Sequence, residues 1–214
     1  VSVKSHKNAV HNPNAQYRIA ITLEEVMGSR MVCDPITLYQ CCPTSDGASA
    51  VVLASAAFAK KHTTSAVYLR AWAGGSPVYA DGHEGLGEGP TSVVAQRAYE
   101  RAGIGPEDVR VTQVHDAFTP GEILTIEELG YVKHGEGGPF VWEGGTEITG
   151  RYPVNTDGGL LSRGHPMGAT GGAMVTEIVR QLRRQAGQRQ VEHAGTGLVQ
   201  NAGIGGVNVL VLSR

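Results

Sequence analysis

The sequence contains little cysteine. Its three cysteines, Cys33, Cys41 and Cys42, are too few and too closely spaced for a disulfide-stabilised scaffold. The adjacent pair Cys41 and Cys42 cannot form a disulfide bond without strain. Because free thiols persist in reducing compartments, this cysteine usage predicts a cytoplasmic location.

Several other features are missing, and each absence excludes a class of protein. No C-x-x-C or H-x-x-x-H pattern indicates a metal site, and no apolar run approaches the ~18 residues of a membrane span. The 18 basic and 20 acidic residues give a net charge of −2, so nothing favours binding to nucleic acid or an anionic membrane. Residues 1–15 are polar, which argues against a signal peptide. The chain begins with Val1 rather than Met, which indicates a fragment.

Glycine is abundant. The chain has 30 glycines among 214 residues, about twice the average usage of ~7%. Hydrophobic residues make up 41% and charged residues 18%, a composition that favours a folded domain over a disordered chain. The glycines fall in clusters, which predict tight turns and close approach of the backbone to a ligand. These clusters lie at 85–89, 135–138, 144–145, 158–172 and 195–206.

The apolar pattern predicts an α/β fold in one continuous unit. The predicted strands are 48–54, 67–73, 109–114, 196–200 and 207–213. The predicted helices are 21–27, 55–61, 91–102, 119–129 and 171–185. Residues 1–20 are predicted to be irregular, 155–168 to form an irregular turn, and 74–89 and 130–150 to form glycine-rich loops. Strands interleaved with helices are typical of α/β layers.

A histidine and an aspartate follow the predicted strand 109–114. The carboxyl end of a strand is where α/β sheets bind ligands, so His115 and Asp116 are candidate functional residues. The alternative is that His115 is an ordinary residue at the end of a strand.

The segment 155–171 surrounds His165 with glycines. Backbone that bends tightly around one side chain explains this pattern, and the N–H groups at the start of the next helix can bind an anion. A phosphate-binding loop is excluded because the G-K-[ST] ending is missing. The glycines at 85–89 do not fit a dinucleotide-binding motif either. A glycine-rich structural turn with an incidental histidine is the alternative.

The segment 200–206 predicts a tight turn between the last two strands. Exposed backbone N–H groups in such a turn can form an oxyanion hole. A plain β-hairpin, with glycines at positive φ, is the alternative.

These segments resemble the thiolases. Residues 155–171 match the signature N-x-x-G-G-x-L-S-x-G-H-P-x-G-x-T-G, and the blocks HDAF, GHPMGATG and NAGIGG follow the thiolase order. The segment from Leu38 to Ala48, together with the polar start of the chain, resembles the sterol-carrier-protein branch, which includes lipid-transfer-protein thiolases. Thiolases consist of two similar βαβαβ halves with the active site between them. The resemblance therefore implies that 1–65 is part of the loop domain plus the last strand and helix of the N-terminal half. Residues 66–214 correspond to the C-terminal half, with a mixed five-stranded sheet and helices on its faces.

The resemblance also assigns roles to individual residues. His165 would accept the proton of a nucleophilic cysteine and help to hold the thioester oxygen, and His115 would donate a hydrogen bond in an oxyanion hole. Gly205 would supply the backbone N–H of a second oxyanion hole. The residues expected to line the pantetheine and acyl channel or the coenzyme A loop are Ala117, Phe118, Met167 and Cys42.

Two departures from the family pattern leave the reaction open. Gly203 stands where ordinary thiolases carry an acid/base cysteine, and Ala117 stands where the sterol-carrier branch has the cysteine of HDCF. The resemblance implies an acyltransferase that acts on carbon–carbon bonds of lipid or steroid acyl-CoA by thiolysis or Claisen chemistry. Retro-aldol cleavage of a β-hydroxyacyl-CoA and a non-catalytic acyl-CoA-binding or lipid-binding module are the alternatives.

The resemblance finally predicts what the chain works with. Coenzyme A is expected as a substrate, with no further cofactor and no metal. The expected partners are the N-terminal thiolase half, which would carry the nucleophilic cysteine, and further copies in a homo-oligomer. The isolated chain is therefore expected to be inactive.

Overall fold

The computed structural model describes residues 1–76, 89–203 and 206–214. The helices in this part are α1 (Ser2–Ala9), α2 (Leu23–Gly28), α3 (Ala56–His62), α4 (Pro90–Ala102), α5 (Thr119–Glu128), α6 (Gly137–Trp142), α7 (Gly159–Ser162) and α8 (Thr170–Leu182). The strands are β1 (Met31–Cys33), β2 (Ile36–Thr37), β3 (Tyr68–Gly75), β4 (Val111–Gln113), β5 (Thr196–Gly203) and β6 (Gly206–Ser213). Short 3₁₀ turns occupy Leu38–Gln40, Pro106–Asp108 and Gly187–Arg189.

The main sheet is mixed, as the sequence predicts. Its strand order is β3-β6-β5-β4. The β3–β6 and β5–β6 pairs are antiparallel, whereas β4 runs parallel to β5. The small strands β1 and β2 form a separate antiparallel pair. The predicted α/β class is confirmed, and in the described residues the main sheet has four strands instead of the expected five.

The missing strand is the predicted one at 48–54, and that prediction is wrong. This segment has no secondary structure, and its apolar side chains lie in solvent, with Val52 93% exposed and Leu53 82% exposed. A strand exists only when a neighbour completes its hydrogen bonds, and the described residues place no strand beside this one. Ser49 Oγ in this segment donates a hydrogen bond to the carbonyl oxygen of Ala169 at 2.7 Å.

The prediction of an irregular segment at 1–20 is also wrong in part. Ser2–Ala9 forms α1, and this polar helix is largely buried. Its amphipathic pattern is hard to recognise because polar side chains lie on the buried face. Lys4, Asn8 and the following Asn12 each find hydrogen-bond partners in the body of the domain.

Two hydrophobic clusters cover opposite faces of the main sheet. One contains Val94, Ala95 and Ala98 of α4, and the other contains Met174 and Ile178 of α8. Neighbouring sheet residues alternate between the two clusters, because successive side chains of a strand point to opposite faces. The predicted placement of helices on the faces of the sheet is confirmed.

The helix predictions are largely confirmed. The structure places α2, α3, α4, α5 and α8 within a few residues of the predicted ranges, and Gly103 ends α4 as expected. The predicted loop 130–150 nevertheless contains α6, and the predicted irregular turn 155–168 contains α7. Most of the predicted loop 74–89, including the glycine cluster at 85–89, lies outside the described residues.

Candidate active site

Two separate loops bring His115 and His165 together. His115 lies just after β4, and His165 lies on the loop between α7 and α8. Their ring centroids are 4.9 Å apart, and the ring planes are perpendicular. Both rings are half-buried. The two predicted catalytic histidines therefore share one site.

The position of His115 follows from strand pairing. Because β4 and β5 are parallel, their carboxyl ends meet at the same edge of the sheet. The backbone N–H of His115 donates to Oε1 of Gln200 at 3.1 Å, and its Nδ1 lies 2.9 Å from Oδ1 of Asn201. Both partners belong to β5, so His115 is fixed at the backbone and at the ring.

A second group of contacts fixes His165. Its backbone N–H donates to Oγ of Ser45 at 3.0 Å, and Thr44 forms an isolated parallel bridge with it. Its Nδ1 lies 2.8 Å from Oγ1 of Thr170, the first residue of α8. Thr170 Oγ1 in turn donates to the carbonyl oxygen of Pro166 at 3.1 Å.

These partners define the tautomers of both rings. The amide oxygen of Asn201 can only accept, so Nδ1 of His115 must donate. With the hydrogen of the Thr170 hydroxyl directed at Pro166, Nδ1 of His165 is the donor to Oγ1 of Thr170. In a neutral imidazole with Nδ1 protonated, Nε2 carries a free lone pair. Each ring therefore presents Nε2 as a potential base.

The surroundings keep both rings neutral. Burial lowers the pKa of His115, the hydrogen bond to Asn201 opposes this shift, and the charge of Arg163 adds to it. Burial also lowers the pKa of His165, and His115 and Arg163 lower it further. Both shifts favour the uncharged form of the two imidazoles at neutral pH.

The expected channel residues Ala117 and Phe118 follow His115 in the chain, and Met167 follows His165. The backbone N–H of Cys42 donates to the carbonyl oxygen of Ala117 at 2.8 Å, and Cys41 forms an isolated antiparallel bridge with Phe118. The loop after Gln40 is thus attached directly to the His115 loop. Met167, two residues after His165, is 83% exposed.

The thiol of Cys42 is not activated. Burial raises its pKa, and the nearby Asp116 and Cys41 raise it further. Nucleophilic cysteines have the opposite surroundings, with a positive charge or a base that stabilises the thiolate. This environment fits a packing or channel-lining role for Cys42.

Several site residues were not singled out from the sequence. Asn201 and Thr170 orient the two imidazoles, and Gln200 holds the backbone of His115. Thr170 lies in the segment 155–171, and Gln200 and Asn201 lie in the segment 200–206, but their roles depend on three-dimensional contacts. Gly205, the expected oxyanion-hole residue, lies outside the described residues.

In the part of the chain that the structure describes, no group of three or more His, Cys, Asp and Glu side chains could hold a metal ion. None of the helices in this part is both long enough and apolar enough to span a membrane.

The fold and the site define an α/β domain that presents two neutral imidazoles at the carboxyl edge of a mixed sheet. The family model described as "Thiolase C-terminal domain-like" matches residues 83–213. The chain belongs to this family, and the resemblance predicted from its motifs is confirmed.

Individual relatives agree with this assignment. An acetyl-CoA acetyltransferase of Methanothermobacter thermautotrophicus is 45% identical over 205 residues, covering 95% of this chain and 54% of that protein. Sterol carrier protein 2 of Rattus norvegicus is 41% identical over 218 residues, covering 99% of this chain and 40% of that protein. Similarity to sterol carrier protein 2 agrees with the predicted branch of the family.

A solved structure shares the fold. The structure named Ltp2-ChsH2(DUF35) aldolase superposes with a TM-score of 0.88 at 29% identity, and the match covers 100% of this chain and 57% of that one. The chain thus spans about half the length of the relatives that it matches.

Proposed function

We propose that the complete protein makes or breaks carbon–carbon bonds in lipid or steroid acyl-CoA thioesters, with His115 and His165 as its bases. The observation that carries this proposal is the pair of perpendicular imidazoles, each hydrogen-bonded through Nδ1. Fixed, neutral bases beside each other suit proton transfer at two atoms of one substrate. Family membership supports the acyl-CoA chemistry.

In thiolysis of a 3-ketoacyl-CoA, the first task of a base is to remove a thiol proton. Nε2 of His165 would accept that proton from the nucleophilic cysteine, which the family resemblance assigns to the N-terminal half. The thiolate attacks the ketone carbon, the bond between C2 and C3 breaks, and the electron pair moves to C2. A proton returned to C2 from a histidine releases the acyl-CoA that contains C1 and C2. The thiol of a second coenzyme A then loses its proton to a histidine, attacks the acyl carbon and displaces the cysteine, which takes up that proton as the shortened acyl-CoA leaves.

The surfaces beside the histidines suit an apolar acyl chain. Phe118 is 53% exposed and Met167 is 83% exposed, although both are large apolar side chains. We propose that they cover the pantetheine or acyl chain of the bound substrate, with Ala117 and Cys42 as neighbouring wall residues. Burial of such side chains by a ligand would be favourable, at about 25 cal/mol per Å² of apolar area.

A specific observation favours retro-aldol cleavage as a second candidate. Ala117 cannot exchange a proton with the substrate, so no thiol at this position can act as the second acid or base. Cleavage of a β-hydroxyacyl-CoA needs one base to remove the hydroxyl proton. The C2–C3 bond then breaks to give a carbonyl product, and the resulting enolate takes up a proton. Likeness to a solved aldolase agrees with this alternative.

The test compares both reactions in the complete protein with any partner polypeptide it requires. A 3-ketoacyl-CoA with free coenzyme A and a β-hydroxyacyl-CoA alone are incubated separately, and the products are identified by mass spectrometry. His165→Ala and His115→Ala should each lower the rate by about 10²–10⁴-fold. His11→Ala, at an exposed histidine, is the matched control and should keep full activity.

The outcome also separates enzyme from binding module. If neither substrate is consumed but acyl-CoA binds, the chain belongs to a non-catalytic acyl-CoA-binding protein, and the proposal is wrong. An equal rate loss in His11→Ala and His165→Ala would also contradict the assigned roles.

Ala117→Cys distinguishes the two reactions. The wild type should catalyse thiolysis only slowly, and the added thiol should raise the thiolysis rate because it restores an acid/base group. The added sulfur can cost about 1–3 kcal/mol in a tightly packed site, so the folded fraction of the variant must be measured alongside. Rapid wild-type thiolysis that the substitution leaves unchanged would show that a histidine already performs this step.

A further inference from the structure

A buried polar cluster begins at Asp116, the residue after His115. It consists of Asp116, Glu122 and Lys4, of which the two acids are fully buried and Lys4 is 7% exposed. Oε1 of Glu122 accepts from Nζ of Lys4 at 2.5 Å and from Oγ1 of Thr146 at 3.2 Å. Among the described residues, Oδ2 of Asp116 and Oε2 of Glu122 have no hydrogen-bond partner. The proposed reaction uses none of these three side chains.

The cluster contains more acids than counterions. Lys4 pairs with Glu122, and the nearby Arg163 pairs with Asp157 at 2.6 Å. Among the described lysine and arginine side chains, none forms an ion pair with Asp116. Burial raises the pKa of Asp116 to about 8, and Glu122 raises it too, against the opposing effects of the Leu160 N–H, Lys4 and Arg163. The charge count and the burial both favour an uncharged Asp116 at neutral pH.

Other titratable groups also face Asp116. His115 precedes it in the chain, and the Cys42 thiol lies close enough for Asp116 to raise its pKa. In this 214-residue chain the amino group of Val1 also faces the cluster, and burial lowers its pKa. The Cys42 thiol carries no positive charge, and burial disfavours the charged form of the Val1 amino group.

The carboxyl group of Asp116 connects the two histidine loops. Its Oδ1 accepts from the backbone N–H of Leu160 at 2.7 Å, and Leu160 belongs to α7, which leads directly to His165. The carboxyl group packs against the backbone of Gly159, where φ is +59° and a Cβ would overlap Oδ2. Only glycine permits both this conformation and this close approach.

We propose that Asp116 is a positioning residue whose uncharged carboxyl group holds the His115 loop against α7 and so sets the spacing of the two histidines. This role rests on the proposed function only in that the histidines are taken as the bases. When Asp116 loses its proton, two buried carboxylates share one ammonium group. Their repulsion and the cost of burying an unpaired charge act to separate the loops.

The proposal predicts an alkaline loss of activity that an isosteric variant removes. In the complete protein, wild-type kcat should fall as pH rises through about 8. Asp116→Asn keeps an acceptor for Leu160 and cannot ionise, so it should retain kcat within about 3-fold at pH 7 and lack this alkaline loss. Asp116→Ala should lose about 10-fold or more at every pH, because a misplacement of about 1 Å can cost 10²-fold. Asp108→Asn, at an exposed acid, is the control.

A stability measurement tests the same residue without any activity. An unfolded aspartate ionises near a pKa of about 3.9, whereas folded Asp116 keeps its proton to about pH 8. Between these values the folded state binds more protons, so the Asp116 contribution to stability declines as pH rises and levels off above about pH 8. The Tm of Asp116→Asn relative to wild type should therefore increase from about pH 5 to about pH 8.

A third readout needs no variant. Infrared spectra of the wild type with isotope-labelled aspartate should show a protonated buried carboxyl band at neutral pH that disappears near pH 8. Absence of this band at neutral pH would overturn the proposal, as would a Tm difference that does not change with pH. If the band and the Tm trend appear but neither acyl-CoA reaction occurs, the proposed function fails while the buried neutral acid stands.

Discussion

Helix α1 and residues 48–54 lie in opposite environments. The helix carries Lys4 and Asn8 on a face that is almost completely buried. Residues 48–54, with the sequence A-S-A-V-V-L-A, form a run that is apolar except for Ser49. This run lies in solvent. The polar segment is thus inside the domain and the apolar segment outside.

Hydrogen bonding explains the first half of this difference. Burying a polar group costs free energy unless a partner replaces water, and α1 has such partners. Nζ of Lys4 donates to Glu122 and to the carbonyl oxygen of Val154, and Nδ2 of Asn8 donates to the carbonyl oxygen of Asn155. These contacts attach α1 to α5 and to the segment that leads to His165.

The exposure of residues 48–54 follows from the lack of an apolar surface beside them in the described part of the chain. Val52 and Leu53 face no hydrophobic cluster in the described residues. Contiguous exposed apolar side chains usually mark an interaction surface. We expect this segment to be covered in the complete protein, in agreement with the proposed N-terminal half.

The largest expected effect comes from breaking the buried ion pair of α1. Lys4→Met should destabilise the protein by about 3–5 kcal/mol, because it leaves Glu122 buried without its counterion. Lys7→Met is the matched control on the same helix, since the Lys7–Glu147 pair is exposed and should contribute about 0–1 kcal/mol. Urea unfolding measures the free energy of unfolding of both variants. Equal losses would show that the buried Lys4–Glu122 pair stabilises the protein no more than the exposed pair does.

An intermediate effect is expected at Asn12. Its Nδ2 donates to the carbonyl oxygen of Asp157 at 2.9 Å in a buried position. Asn12→Ala should cost about 1–3 kcal/mol because that carbonyl loses a partner. Asn14→Ala, two residues further on and exposed, should stay within about 0.5 kcal/mol of wild type. Thermal unfolding measures both variants. Equal losses of stability in Asn12→Ala and Asn14→Ala would show that the buried hydrogen bond does not stabilise this segment.

The smallest effect on stability is expected in the exposed apolar segment. Val52→Ser should change the free energy of unfolding of the 214-residue chain by no more than about 0.5 kcal/mol. The same change should reduce self-association, because it removes exposed apolar surface. Light scattering at increasing concentration measures this. If wild type and variant are both monodisperse monomers, the segment does not mediate self-association.

The sequence predicts those elements whose own pattern determines them. Local sequence is enough to predict the strands with apolar runs, which are β3, β5 and β6. It is also enough to predict the capped helices α2 and α4. Helix α1 and residues 48–54 were mispredicted because their environments depend on residues far along the chain or outside the described part. The helix α6 was missed since its two glycines and one proline favour a loop when considered locally.

The same limit applies to the site. His115 and His165 stand out by their motifs, and the structure brings them together, although their catalytic roles stay predictions. Asn201 lies 86 residues from His115 in the chain, and only the parallel register of β4 and β5 makes them neighbours. Asp116 stands next to His115 in the motif, but its missing counterion is visible only in three dimensions.

The protonation states of the two imidazoles decide whether His115 and His165 can act as bases. Nitrogen-15 NMR of the complete protein, with His115 and His165 assigned by substitution, reports which ring nitrogen carries hydrogen at neutral pH. The account predicts that both rings are neutral, with Nδ1 protonated and Nε2 free to act as a base. A ring protonated at Nε2, or an imidazolium at neutral pH, would contradict it.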